Sequence, residues 1–176
     1  MFFSTIKLRL AKLEDIDLIH QIILSDASKG HYSRDYLSGD EAKLALKSNL
    51  NSMILNKIRY QTIWYNNKLV DICLNATVII AEKNNKTIGF SIISETDSPK
   101  DIEIYKFSIF NDVRNKGYGK KFLKELIRSI RRDNPNSNFV ARCFESSKIM
   151  MNMLQDNKFI EENSVYETRF FRLKPS

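Results

Sequence analysis

Two glycines, spaced two residues apart, lie in a short basic turn between a predicted strand and a predicted helix. The first turn of a helix leaves backbone N–H groups unpaired and carries the positive end of the helix dipole. Glycines allow such a backbone to close around phosphate oxygens without obstruction by side chains. The turn Arg114-Asn115-Lys116-Gly117-Tyr118-Gly119 therefore predicts a pyrophosphate site, although the same spacing also fits a plain tight turn.

Two common phosphate-binding motifs do not fit this turn. A dinucleotide-binding fingerprint needs a third glycine at position 122, which is Phe122. A P-loop needs a wider glycine spacing followed by Lys-Ser or Lys-Thr, whereas Gly119 is followed by Lys120 and Lys121. Both nucleotide-binding motifs are therefore excluded.

Hydrophobic periodicity predicts the elements that must position this turn. A strand over 101–110 precedes it, and an amphipathic helix over 119–132 follows it. Segment 59–71 has strand-like composition but no clear assignment. Further strands are predicted over 6–11, 72–83, 87–94 and 139–144, and two final strands flank 161–164, the second ending over 168–173. Further helices are predicted over 13–25, 40–57 and 146–155. This order predicts an α/β (α+β) fold in one domain over 1–176, with a single mixed, largely antiparallel sheet of about seven strands flanked by helices.

Composition and charge narrow the class of protein. The chain has 176 residues, of which 43% are hydrophobic, and a formal net charge of +7. Eight Lys or Arg residues fall between Arg114 and Arg132, against the single acid Glu125. This excess fits either a polyanionic ligand, nucleic acid included, or a solvated Lys-rich surface.

Targeting and metal-binding signals are not found in the sequence. No apolar run approaches the roughly 18 residues that would span a bilayer, and the N-terminus does not resemble a secretory signal. Cys73 and Cys143 are too few for a disulfide scaffold and are interpreted as buried thiols of a cytoplasmic protein. His and Cys are too far apart for metal-ligand spacing, so no metal is expected.

The strand, turn and helix together resemble the GNAT acetyltransferase family. That family carries an Arg/Gln-x-x-Gly-x-Gly/Ala turn, and Arg114, Gly117 and Gly119 fill it. The family usually shows a Pro shortly before the Arg, where this chain has Asn111. The resemblance in element order covers nearly the whole chain, from residue 6 to residue 173.

The resemblance implies that acetyl-CoA is the co-substrate. It implies that backbone amides from Val113 to Lys120, including those of Asn115, Lys116 and Tyr118, bind the pyrophosphate. The pantetheine arm is expected to pair with strand backbone near Phe107, Ser108 and Ile109. Ser147 matches the place of a family Asn that contacts pantetheine, but it also fits a helix cap.

The resemblance also suggests which residues carry the chemistry. An amine acceptor is mostly protonated at neutral pH, so a general base is useful. Glu103 stands eleven residues before Arg114, as a Glu does in some family members, and is the candidate base. The family's acidic Tyr is replaced by Leu154, so Tyr166, Tyr105, Tyr118 or solvent is left to protonate the thiolate.

Residues of the loop before the second helix are the candidate acceptor contacts, namely His31, Tyr32, Asp35 and Tyr36. The expected function is N-acetylation of a primary amine, by direct attack on acetyl-CoA. The acceptor is a small molecule, a peptide or an aminoacyl-tRNA, and a homodimer is expected to be possible. The alternatives are a non-catalytic acyl-CoA-binding module and a basic nucleic-acid-binding protein.

Overall fold

A computed structural model describes residues 5–165 and 167–175. Its strands are β1 (Lys7–Leu10), β2 (Ile58–Tyr65), β3 (Lys68–Lys83), β4 (Lys86–Glu95), β5 (Asp101–Ile109), β6 (Asn138–Phe144), β7 (Ile160–Val165) and β8 (Thr168–Leu173). Its helices are α1 (Ile16–Ser28), α2 (Asp40–Leu55), α3 (Tyr118–Asp133) and α4 (Lys148–Asp156).

One mixed sheet organises the molecule, in the order β1-β3-β4-β5-β6-β8-β7, with β2 paired to β3. Only β5 and β6 are parallel; every other pair is antiparallel. A parallel pair needs a crossover connection, and α3 supplies it. The predicted fold class is confirmed, including the largely antiparallel sheet and its flanking helices.

Helices cover both faces of the sheet, because each presents one apolar face. Ile19 and Ile23 of α1 pack with Leu50 of α2 against one face. Phe122 of α3 and Leu154 of α4 pack against the other. The two buried clusters therefore lie on opposite sides of β4 and β5, and residues of β5 reach both.

Segment 59–71, which the sequence leaves unassigned, forms most of a hairpin. Strand β2 pairs with the first half of β3 from Ile58↔Asn75 to Tyr65↔Lys68. Strands β1 and β4 pair only with the second half of β3, so the hairpin extends past the rest of the sheet. Cys73 is exposed there, so the prediction that both thiols are buried is wrong for Cys73 and confirmed only for Cys143.

The predicted loop 25–39 is partly helical. Helix α1 continues to Ser28, and a short 3-10 turn spans Arg34–Leu37. Across the described ranges, no helix is long and apolar enough to cross a membrane.

Candidate active site

An opening in the sheet lies between β5 and β6. Their pairing runs only from Asp101↔Asn138 to Glu103↔Val140. Both strands continue beyond that point, so they diverge, and a cavity of about 430 Å³ lies along the opening. Its lining comes from 104–109 of β5, 141–143 of β6, the turn before α3 and the start of α4.

The two-glycine turn borders one end of this cavity. Gly117 is the N-cap of α3, with a left-handed φ of 74°, and Asn115 is also left-handed at 61°. A side chain would meet no neighbour at Gly117, so its backbone conformation is what favours glycine there. No side chain caps the helix, so its first amides are left for a ligand. An anion at this end of the cavity would therefore meet unpaired N–H groups.

Gly119 is favoured for a different reason. A Cβ on Gly119 would lie 3.0 Å from Sδ of Met153 and 3.4 Å from Cγ1 of Ile109. Its small size therefore lets the start of α3 pack closely against α4 and the end of β5. Backbone conformation thus favours glycine at 117, and close packing favours a small residue at 119.

Arg114 ties the turn to two other elements through its side chain. Its Nε donates to the carbonyl oxygen of Ile109 at 2.7 Å. Its Nη2 donates to both carboxylate oxygens of Asp26 in α1, at 2.8 and 3.1 Å. Asp26 is buried and also accepts from Oγ of Ser108 at 2.8 Å. Arg114 therefore fixes the position of the turn, and the turn's backbone is what faces a ligand.

The basic side chains of the turn region are directed to protein groups. Nζ of Lys116 donates to the carbonyl oxygen of Asp112 at 3.1 Å. Nζ of Lys120 is 2.9 Å from Asp156 of α4. Nζ of Lys83 lies over the ring of Tyr118, 4.5 Å from the ring centroid. These exposed contacts are weak, so the lysines can turn towards phosphates at small cost.

Tyr32 reaches the edge of β5 that faces the opening. Its hydroxyl accepts from the amide of Phe107 at 3.1 Å and lies 2.9 Å from the carbonyl oxygen of the same residue. It is also 2.7 Å from Oγ of Ser108. Backbone groups alternate in direction along a strand, so the amide of Ile109 faces the same opening as that of Phe107. The amide of Ile109 is therefore the group left for pairing nearer the turn, because the carbonyl oxygen of Ile109 accepts from Arg114.

A three-residue connection, Gly30–Tyr32, spans the opening between the two diverging strands. Oγ of Ser146 donates to the carbonyl oxygen of Gly30. Nδ1 of His31 lies 3.2 Å from Oγ of Ser147. Ser147 occupies the N-cap of α4, but its hydroxyl makes no cap hydrogen bond. The interpretation of Ser147 as a helix cap is therefore wrong for its side chain, which is directed to His31 and lines the cavity.

The predicted acceptor contacts divide into two groups. His31 and Tyr32 line the cavity. Tyr36 lies behind it, with its hydroxyl 3.3 Å from that of Tyr105, and Asp35 is exposed and bonded to Ser33. Burial raises the pKa of Tyr32 and of Tyr36 far above the ordinary range. Both hydroxyls therefore stay protonated at neutral pH.

Glu103 is buried, at 2% exposure, and does not border the cavity. Its Oε1 accepts from Nε of Arg142 at 2.8 Å, and its Oε2 is 4.0 Å from Nη2 of Arg59. Within the described residues, no hydrogen bond reaches Oε2. Alternation predicts that Glu103 shares a strand face with Tyr105, Phe107 and Ile109. This prediction holds for Tyr105, since Arg59 contacts both residues, and is wrong for Phe107 and Ile109.

A β-bulge explains the change of face. Ile92 of β4 pairs with Lys106, but the next residue, Ile93, pairs with Ile104, so Tyr105 is an extra residue on β5. Ile104, Phe107 and Ile109 therefore pack together on the α3 side. Tyr105 packs on the α1 side, near Arg59 and Glu103.

Two residues that the sequence analysis did not select belong to this region, Asp26 and Lys106. Asp26 lies among the apolar residues of α1, and a buried acid in that position is a signal of a distant basic partner. Lys106 lies in an apolar and aromatic strand, where a lysine is unusual. Lys106 is 5% exposed and lines the cavity.

The candidate proton donors are only partly described. Leu154, in the place of the family's Tyr, is fully buried in the core. Tyr166 lies outside the described residues. Among the residues that the structure describes, no group of His, Cys, Asp and Glu could hold a metal ion.

Comparison with known proteins places this geometry in a family. The model of the acetyltransferase (GNAT) family matches residues 53–158, more than half of the chain, which contain β5, the turn and α3. No curated protein matches the sequence.

Several solved structures share the fold. RimL, the ribosomal L7/L12 α-N-protein acetyltransferase in complex with coenzyme A, is 14% identical with a TM-score of 0.67, over 97% of this chain and 94% of its own. PaiA N-acetyltransferase of Thermoplasma acidophilum, in complex with coenzyme A, is 13% identical with a TM-score of 0.66, over 97% and 99%. YncA of Salmonella typhimurium, a putative acetyltransferase with acetyl-CoA, is 16% identical with a TM-score of 0.64, over 98% and 95%. The match over residues 53–158 shows that the chain belongs to the GNAT acetyltransferase family.

Proposed function

We propose that the chain is an N-acetyltransferase that moves an acetyl group from acetyl-CoA to a primary amine by direct attack. The observation that carries this proposal is the opening between β5 and β6, bordered by the uncapped first turn of α3. A long ligand with a pyrophosphate at one end and a thioester at the other matches that arrangement. The coenzyme A complexes of RimL and PaiA, which share the fold, support the same reading.

The proposed binding mode follows the contacts of the cavity. The amides of Asn115, Gly117 and the first turn of α3 hold the pyrophosphate, whereas the amide of Val113 already donates to the carbonyl oxygen of Phe110. The pantetheine arm pairs with β5 at the amide of Ile109, because Phe107 is already bonded to Tyr32. Ser147 and His31 border the arm from the side of β6.

The chemistry needs a neutral amine and a proton for the departing thiolate. Glu103 stays a prediction as the base, and Tyr166 as the acid. The acceptor is expected to approach past His31 and Tyr32.

The single-domain boundary of 1–176, the cytoplasmic location and the homodimer also stay predictions. Sedimentation velocity would distinguish the homodimer from a monomer.

The test is turnover with a panel of primary amines. Purified protein is mixed with acetyl-CoA and, in turn, an alkylamine, a peptide with a free N-terminus and an aminoacyl-tRNA, and thiol release is followed. We expect acetylated product from at least one acceptor class, confirmed by mass spectrometry. Binding of acetyl-CoA without product from any class would favour the non-catalytic acyl-CoA-binding alternative. Binding of nucleic acid without binding of acetyl-CoA would contradict the proposal.

A further inference from the structure

Lys106 lies inside a cage of three tyrosine rings. Its Nζ is 4.5 Å from the ring centroid of Tyr32, 4.7 Å from that of Tyr36 and 4.4 Å from that of Tyr105. The three tyrosines come from the connection after α1, the 3-10 turn before α2 and the bulge of β5. The cage is thus formed by three separate parts of the fold around one amine.

The charges around this amine are few, and most are already paired. Arg59 lies with its guanidinium 4.0 Å from the Tyr105 ring centroid. Glu103 is bonded to Arg142. Burial lowers the pKa of the Lys106 amine; Tyr105 opposes this effect, Arg59 adds to it, and Glu103 opposes it, with a net lowering. The amine therefore loses its proton more readily than a surface lysine.

Lys106, unlike Glu103, belongs to the wall of the cavity. It lines the cavity beside Phe107 and Tyr32, whereas Glu103 does not border it. The carboxylate of Glu103 is instead paired with the guanidiniums of Arg142 and Arg59. Geometry and charge therefore favour the lysine over the glutamate at this step.

We infer that Lys106, rather than Glu103, takes the proton from the acceptor amine. This inference rests on the proposed acetyl transfer. The lone pair of Lys106 Nζ accepts one proton from the acceptor ammonium, which becomes a neutral amine. That amine forms a bond to the thioester carbonyl carbon, the carbon–sulfur bond breaks, and the thiolate leaves with the electron pair. The second amine proton passes to the thiolate, and Lys106 releases its own proton to solvent.

The tyrosine cage suits both protonation states of this lysine. Burial disfavours the ammonium, and the negative faces of three rings favour it. General-base catalysis is most effective when the pKa of the base is near the working pH, and burial moves the pKa of Lys106 in that direction. Glu103 is then a positioning residue, which holds Arg59 and Arg142 beside the cage.

The first test needs no acceptor. Protein labelled with ¹³C at lysine Cε is titrated by NMR, and the Lys106 signal is identified by its loss in Lys106→Arg. We expect this one signal to titrate at lower pH than the signals of the surface lysines, which titrate near 10.4. A Lys106 signal that titrates together with the surface lysines, or above them, would overturn the inference.

The second test separates a base from a structural lysine. For Lys106→Met, kcat is measured against pH with an alkylamine and with an aromatic amine that is already neutral at pH 7. We expect the alkylamine rate to fall roughly 10²- to 10⁴-fold with loss of its rise with pH, and the aromatic amine rate to fall less than about tenfold. Equal falls for both amines, or an unchanged pH profile, would overturn the inference.

The matched control is Glu103→Gln, which must keep the rise of kcat with pH. A profile that flattens in Glu103→Gln and persists in Lys106→Met would restore Glu103 as the base. Calorimetric binding of acetyl-CoA to each variant shows whether the donor site is intact. If Lys106 proves not to be the base while acetyl-CoA still binds and product is still formed, the proposed function still holds.

Discussion

At the scale of single residues, Asp26 holds the candidate site together. Its carboxylate accepts from Arg114 of the turn and from Ser108 of β5, so three elements meet at one buried acid. Ser108 and Arg114 could be predicted from the family motif. Asp26 could not, because its hydrogen bonds join it to Ser108 and Arg114, which are 82 and 88 residues away in the sequence, and no local pattern indicates such a contact.

The faces of β5 on which Glu103 and Lys106 lie could not be predicted from the sequence either. Strict alternation wrongly places Glu103 on the same strand face as Phe107 and Ile109, because one inserted residue at Tyr105 reverses the pattern beyond it. A bulge leaves no signature in the apolar pattern of β5. Spacing from Arg114 therefore points to Glu103 as the base, and nothing in the strand pattern points to Lys106.

Glu103→Gln should destabilise the protein whatever its effect on turnover. The change removes the charge that balances Arg59 and Arg142, both within 4.0 Å of the carboxylate. Breaking a buried ion pair by removing one partner typically costs about 3–5 kcal/mol. Urea unfolding should show a loss near the lower end of that range, since Arg142 is half exposed. An unchanged free energy of unfolding would show that the ion pairs contribute little.

At the scale of elements, the opening between β5 and β6 depends on a clamp at its closed end. Asp101 of β5 accepts from Asn138 of β6 and from Arg172 of β8, each at 2.7 Å. The clamp holds the strands together where their pairing begins. Beyond it they diverge into the cavity.

Acidification should weaken this clamp. Burial opposes ionisation of Asp101, but hydrogen bonds from Arg172 and Asn138 outweigh it, and the folded-state pKa is lowered. The stabilisation is therefore complete above the unfolded pKa of about 3.9 and is lost as pH falls through the lower folded pKa. Urea unfolding from pH 7 to pH 3 should show a smaller loss of stability for Asp101→Asn than for the unchanged protein. An equal loss of unfolding free energy between pH 7 and pH 3 in both proteins would contradict the proposed role of Asp101.

Gly89 of β4 lies against the strand that forms the cavity. A Cβ there would lie 2.4 Å from the carbonyl oxygen of Ser108 and 3.0 Å from Cδ1 of Ile109. The obstruction is backbone, so Gly89→Ala must push β4 and β5 apart. We expect a loss of roughly 1–3 kcal/mol in stability and weaker binding of acetyl-CoA. Thermal unfolding and calorimetry measure the two effects, and wild-type values for both would show that β5 adjusts freely.

The order of the elements was predictable because most of them bury one face. Helix α3 was predicted within one residue at each end, since its apolar face is regular. The β2–β3 hairpin was not predicted as such. Tyr60, Trp64, Tyr65 and Leu69 are all more than half exposed, whereas the buried position of β2 is Arg59, so the apolar residues of the hairpin do not mark its buried side.

At the scale of the whole molecule, the positive charge is less available than the sequence suggests. Between Arg114 and Arg132, the contacts with Asp26, Asp156 and Glu125 engage Arg114, Lys120 and Arg128. The remaining excess still suits the phosphates of CoA. The exposed apolar residues of the hairpin are the natural place to look for the predicted contact with a second copy.

The central claim is that the two-glycine turn and the β5–β6 opening bind acetyl-CoA. Calorimetric titration of acetyl-CoA into the protein tests it most directly, with dephospho-CoA, Gly119→Glu and Gly119→Ala as controls. Glutamate at position 119 adds bulk and charge between Met153, Ile109 and the phosphates, whereas an alanine Cβ meets Met153 at 3.0 Å, the end of a flexible side chain. We predict micromolar binding that Gly119→Glu abolishes and Gly119→Ala largely keeps. No binding to the unchanged protein, or equal binding to Gly119→Glu, would contradict the account.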